Sequence, residues 1–130
     1  MKILVGYDGS KVADHALSVA LKHAKVFKAD VIILTSLEQS SMSQIVDIDN
    51  TESKLEQLKR QFTAEGISCE TLANVCYQSP GEDIVRFAEE NDIDQIIIGV
   101  KKRSRVGKLL LGSNANYIII EATCPVLAVK

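Results

Sequence analysis

Tryptophan is absent from this 130-residue sequence, and aromatic residues make up only 5% of it. With 46% apolar residues, the core must therefore be aliphatic, built from Ile, Leu, Val and Ala. No apolar run approaches the roughly 18 residues that a membrane span needs. Blocks such as Ile96–Ile98 and Tyr117–Ile120 are only three or four residues long, so a membrane role is excluded. The opening Met1–Asp8 has too short an apolar stretch for a secretory leader and meets an acid at once, which leads us to expect a cytoplasmic protein.

Cysteine is scarce too. Cys69, Cys76 and Cys124 form no CxxC pair, leave an odd thiol in any disulfide scheme and lie apart from any metal-type cluster. Free thiols, buried or half-buried, are the expectation. The two histidines, His15 and His23, stand about 12 Å apart along an expected helix, too far to share a metal. Two phosphate motifs are also missing. A P-loop requires GxxxxGK[ST], but Leu109 follows Gly107-Lys108 and Lys102 stands where the earlier glycine belongs. Gly6-Tyr7-Asp8-Gly9-Ser10 lacks the spacing and third glycine of GxGxxG.

What is present reads as alternating strands and helices. Lys2–Tyr7 is a buried strand. After it, Ser10 is a natural N-cap for a helix over about 11–28, in which Ala13, Ala16, Leu17, Ala20, Leu21, Ala24 and Phe27 recur at three- and four-residue intervals. Asp30–Ser36 carries the aliphatic run of a second strand. A serine-rich connector over 38–50 follows, in a position to flank a binding site. Leu55, Leu58 and Phe62 then mark a helix ending at Gly66. Ile67–Cys76 is a weaker third strand, and Ser79-Pro80 opens the next helix. Asp94–Val100 is a strong fourth strand, a further helix lies within Gly107–Ile120, and Pro125–Val129 is a terminal strand. There is no repeat, linker or second composition regime. One α/β domain over 1–130, with a doubly wound parallel sheet and helices on both faces, is the natural architecture. Ligands of such sheets sit beyond the carboxyl ends of the strands, where strand order reverses.

Charge of one sign is locally depleted. Residues 1–98 hold nine Lys/Arg against sixteen Asp/Glu, whereas residues 99–130 hold six against one. The basic block Lys101, Lys102, Arg103, Arg105 and Lys108 is short, lacks interleaved aromatics and belongs to a chain of net charge −2, which argues against nucleic acid. Flanked by Gly99, Gly107 and Gly112-Ser113 and leading into a helix, it suits a small anion, because free N–H groups at a helix N-terminus attract phosphate. A solvated loop or a protein-contact patch also fits these cations. Gly112-Ser113 also reads as a loop glycine followed by a helix cap.

The segments ILVGYDGS, IDQIIIGV, GSNANYIII and CPVLAVK, in this order and spacing, resemble the universal stress protein family over essentially the whole chain. The resemblance implies a Rossmann-like, adenine nucleotide alpha hydrolase-like sheet of order 3-2-1-4-5, and with it a crevice shared by Asp8 and Gly99. It implies an ATP site of the pattern Gly, two residues, Gly, nine residues, Gly-Ser. Gly99, Gly112 and Ser113 match that pattern, and Lys102 occupies the second glycine position. Gly6 and Asp8 at the end of strand 1, Ser36 at the end of strand 2 beside the adenine, and Asn114 after Ser113 are implied as further site residues. Asp8 would meet the ribose or a phosphate-bound Mg or Mn ion, with capping of the first helix as its alternative. The family implies a homodimer through the C-terminal strand and a regulatory module, at most a slow ATPase. The alternative is a nucleotide-free stress or scaffold protein whose basic loop contacts a protein or another anion.

Overall fold

The runs that form the three central strands are apolar on both faces, and the structure buries both. The computed structural model describes residues 1–38, 44–76, 78–101 and 111–130, with backbone alone described at 44–47. Strands β1 (Lys2–Gly6), β2 (Asp30–Glu38), β3 (Cys69–Cys76), β4 (Gln95–Gly99) and β5 (Val126–Val129) alternate with helices α1 (Lys11–Phe27), α2 (Gln44–Ala64), α3 (Pro80–Glu90) and α4 (Ser113–Glu121). The strands form one sheet in the order β3-β2-β1-β4-β5, with every neighbouring pair parallel.

Alternate strand residues face opposite layers. Ile3, Val5, Val31, Ile33 and Ile97 meet α1 and α2 through Ala16, Leu17, Ala20, Leu55, Leu58 and Phe62. Leu4, Ile32, Leu34, Ile96 and Ile98 meet α3 and α4 through Ile84, Val85, Ala88 and Ile118. The alanine stripe of α1 follows from this burial, since small side chains let a helix lie close over the central strands. Among the described residues, no helix is long and apolar enough to cross a membrane.

Two sequence expectations need correction. β2 runs past Ser36 to Glu38, because β3 continues to pair with it there, Ser36 opposite Asn74 and Glu38 opposite Cys76. The connector over 38–50 is helical from Gln44 onward. Ile48, Thr51, Leu55, Leu58 and Phe62 form one inward face at three- and four-residue spacing, Ile48 and Thr51 half-buried and the others buried. The polar Thr51, set among Asp47, Asp49 and Asn50, hides that period in the sequence.

Candidate functional site

Strand order reverses at β1, which pairs with β2 on one side and β4 on the other. Beyond the carboxyl ends of these strands lies a crevice of three adjoining compartments, and Asp8 lines all of them. The first, about 140 Å³, is largely apolar, walled by Leu34, Pro80, Ile84, Ile98 and Ile118 together with Gly6 and Ser36. A wider one, about 410 Å³, opens between β2 and α2, where Ser36, Asn50, Thr51 and Lys54 line it. The third, about 190 Å³, lies between β4 and α4 and is lined by Gly99, Lys101, Gly112, Ser113 and Asn114.

The wall after β1 is internally tied. Gly9 takes φ 81, a turn conformation that glycine adopts without strain. The Ser10 N–H donates to Asp8 Oδ1 at 3.0 Å, and Ser10 Oγ accepts from the Ala13 N–H at 3.2 Å. Ser10, not Asp8, is therefore the N-cap of α1. The reading of Asp8 as a helix cap gives way to Asp8 as the brace of the turn, exposed to the crevice. Beneath it, Tyr7 is buried and its hydroxyl donates to Asp14 Oδ1 at 3.2 Å, while Thr35 Oγ1 donates to the Tyr7 carbonyl at 2.8 Å. Burial first, and then the Asp14 carboxylate, push the Tyr7 phenol up to about 12.

Gly99 owes its identity to packing. A Cβ there would overlap the Val12 carbonyl group and come within 2.7 Å of the Ala13 nitrogen, so only glycine lets α1 start across the end of β4. Gly112 is the N-cap position of α4 and makes no side-chain cap bond; Ser113 is the first helical residue rather than the cap. The first intrahelical bond runs from the Asn116 N–H to the Gly112 carbonyl. The preceding N–H groups of this turn are the ones a helix leaves unmatched. Asn114 Oδ1 accepts from the Gly81 N–H at 2.9 Å, tying the start of α4 to the start of α3.

The structure thus brings Gly6, Asp8, Ser36, Gly99, Gly112, Ser113 and Asn114 to one crevice. Lys102 lies outside the described residues, as do Arg103, Arg105, Gly107 and Lys108. Sequence reasoning missed the apolar wall contributed by α3 and α4 and the link from Ser36 to Asp83, for which no local signal exists. Asn50, in the serine-rich stretch expected to flank a site, lines the wider compartment. Among the described residues, no three His, Cys, Asp or Glu side chains converge as a metal cage. The three cysteines are free, and burial pushes the Cys69 thiol up to about 11 and raises that of Cys124. Thiols so shifted are poor nucleophiles.

A family model described as "Universal stress protein family" matches residues 1–130. The chain belongs to the universal stress protein family. Among its relatives, a universal stress protein of Methanocaldococcus jannaschii is 30% identical, over 99% of this chain and 81% of the relative. Universal stress protein YxiE of Bacillus subtilis is also 30% identical, over 99% and 98%. A solved universal stress protein from Archaeoglobus fulgidus superposes with a TM-score of 0.85 at 34% identity, covering 100% of this chain and 98% of that one. A structure of the universal stress protein from the same organism in complex with dAMP gives a TM-score of 0.78 at 29% identity, with 100% and 98% covered. The family assignment and the sheet order agree with what the sequence segments implied.

Proposed function

We propose that this universal stress protein is a regulatory module that binds ATP or a related adenine nucleotide in the crevice between β1 and β4. The observation that carries the reading is the start of α4. Gly112, Ser113, Asn114 and Ala115 of its first turn line a glycine-framed compartment together with Lys101, and Gly112 makes no side-chain cap bond. Helix N-termini of this kind bind phosphate through their N–H groups and dipole. In this reading Gly99, Gly112, Ser113 and Asn114 frame the phosphates, Asp8 meets the ribose, and the base enters the apolar compartment beside Gly6 and Ser36. The dAMP complex of a 29% identical relative supports an adenine ligand. A Mg or Mn ion would take Asp8 and the phosphates as ligands, since such ions commonly bind one or two carboxylates plus phosphate oxygens.

Occupancy would act on a cytoplasmic homodimer formed through β5, a short strand at the edge of the sheet. Light scattering at micromolar concentration is expected to give the dimer mass, and a monomer mass would remove that element. No step of catalysis is assigned. Lys102 favours a second reading: the family motif has glycine at this position, and glycine is the residue that lets backbone approach a phosphate without a side chain. The test is analysis of nucleotide released from freshly purified, denatured protein, followed by calorimetric titration with ATP, ADP and AMP. Released nucleotide or saturable heat is the expected result. Neither, together with new binding in Lys102→Gly, would make the native protein a nucleotide-free module whose basic loop contacts a protein or another anion.

A further inference from the structure

β3 forms one edge of the sheet, and among the described residues it pairs with β2 alone. The Val31 N–H donates to the Ser68 carbonyl at 2.9 Å. In a parallel ladder that bond fixes the rest by alternation. Glu70, Leu72 and Asn74 turn their backbone groups toward β2, whereas Cys69, Thr71, Ala73 and Val75 turn theirs outward. Natural edge strands are commonly blunted by lysine, by proline or by shortness. β5, the opposite edge, is four residues long. β3 is eight residues long and reads CETLANVC, without lysine or proline and with Glu70 as its only charged residue. α3 seats over β2 and leaves Leu72, the register neighbour of buried Leu34, exposed.

We infer that β3 is an association edge whose occupant is β3 of a second copy of this chain, antiparallel about a twofold axis at Leu72. This surface is separate from the nucleotide crevice and from the β5 edge. An antiparallel partner must set outward backbone groups against outward backbone groups, which excludes every axis that falls between two residues. Of the axes near the middle of the strand, one at Thr71 sets Glu70 against Leu72, and one at Ala73 sets Leu72 against Asn74. At Leu72 the pairs match in chemistry. Leu72 meets its own copy, and the Glu70 carboxylate meets the Asn74 amide, so no like charges oppose. On the other face Thr71 meets Ala73 and Cys69 meets Val75. Every outward N–H and C=O from Cys69 to Val75 thereby gains a partner. The pairing also covers Leu72 and Val75, which are 37% and 38% exposed in the single chain.

Cysteine substitution in the full chain tests the register. Residues that face each other in a non-hydrogen-bonded antiparallel pair lie close enough for a disulfide, and only the residue on the axis meets itself. Under mild oxidation Leu72→Cys should cross-link into covalent pairs at least about tenfold faster than Asn74→Cys, which lies on the same face and is also exposed. The unaltered protein, with its own free thiols, sets the background. Equal rates would mean chance collision and would overturn the inference. In sedimentation equilibrium the mass of the unaltered protein should rise beyond the β5 dimer as concentration approaches millimolar. Leu72→Lys, which brings two ammonium groups together on the axis, should hold the mass at the dimer and leave the unfolding midpoint of the chain unchanged. A mass that does not rise, or a rise that survives Leu72→Lys, would overturn the inference and leave the β5 dimer and nucleotide binding as they stand. Should β5 not pair, the same rise starts from the monomer, so the two edges fail separately.

Discussion

Helices α1 and α3 begin on serine, and α4 begins on glycine. Ser10 and Ser79 each accept a hydrogen bond from the backbone N–H three residues on, at 3.2 Å in both cases, and acids follow in the first turn: Asp14 in α1, Glu82 and Asp83 in α3. α4 has neither, with no side-chain cap at Gly112 and no acid in its first turn. The capped helices satisfy their orphan donors and complement their dipoles from within the chain. Among the described residues, α4 has no such internal partners for its donors and dipole, which on the nucleotide reading are left to an external anion. The difference separates two helix starts secured by side chains of their own from one that is not.

The largest effect should come from the scaffold. Gly99→Val drives a side chain into the backbone of α1, and overpacking of this kind costs on the order of 3 kcal/mol or more, read as a lower urea midpoint whether or not nucleotide is present. A variant of unchanged midpoint would mean that α1 does not need Gly99 to cross β4.

Exchanging caps tests the comparison directly. Ser10→Ala should destabilise by about 1 kcal/mol. Gly112→Asp should do the opposite, because Gly112 sits at φ −61 and ψ 156, which aspartate adopts freely. A gain of roughly 0.5 kcal/mol is expected from the cap and the dipole, together with loss of nucleotide affinity as the new carboxylate occupies the anion position. A Gly112→Asp protein that binds ATP undiminished would separate the uncapped terminus from ligand binding.

The smallest effect at neutral pH belongs to Tyr7→Phe, and it grows with alkali. The Tyr7 phenol goes from a reference value of 10.0 to about 12 in the folded chain, so between these values the folded state holds a proton that the unfolded state has released. Stability from this group is complete below pH 10 and is lost as pH rises through 12. Tyr7→Phe should therefore show a shallower fall of its unfolding midpoint across that window than the unaltered protein, followed by thermal denaturation at stepped pH. Parallel falls would mean that Tyr7 is not held protonated.

Much of this arrangement is legible from local pattern. Val31–Leu34 and Ile96–Ile98 announce strands buried on both faces, and the alanines of α1 announce a helix pressed against them. The resemblance supplied the strand order, and with it the placing of Asp8 against Gly99. What stayed hidden depends on residues distant in sequence. Ser36 looks like a strand end until β3 is seen to extend β2 beyond it, and its partner Asp83 looks like an ordinary acid in a first helical turn. Thr51 conceals two turns of α2 because a half-buried hydroxyl breaks an apolar count. Gly99 was legible as a motif glycine, whereas its steric reason is a backbone 86 or so residues earlier in the chain, visible only once α1 lies over β4.

The Gly81–Asn114 bond has one more consequence. α3 holds Asn114 at its first turn and Asp83, the partner of Ser36, two residues later. Both the α4 end of the crevice and its wall at Ser36 are thereby measured from a single helix. The span of the crevice is set by the seat of α3 on the sheet, through Ile84, Val85 and Ala88, so a change in that apolar seat would rescale the distance between the two ends while leaving every polar residue in its place.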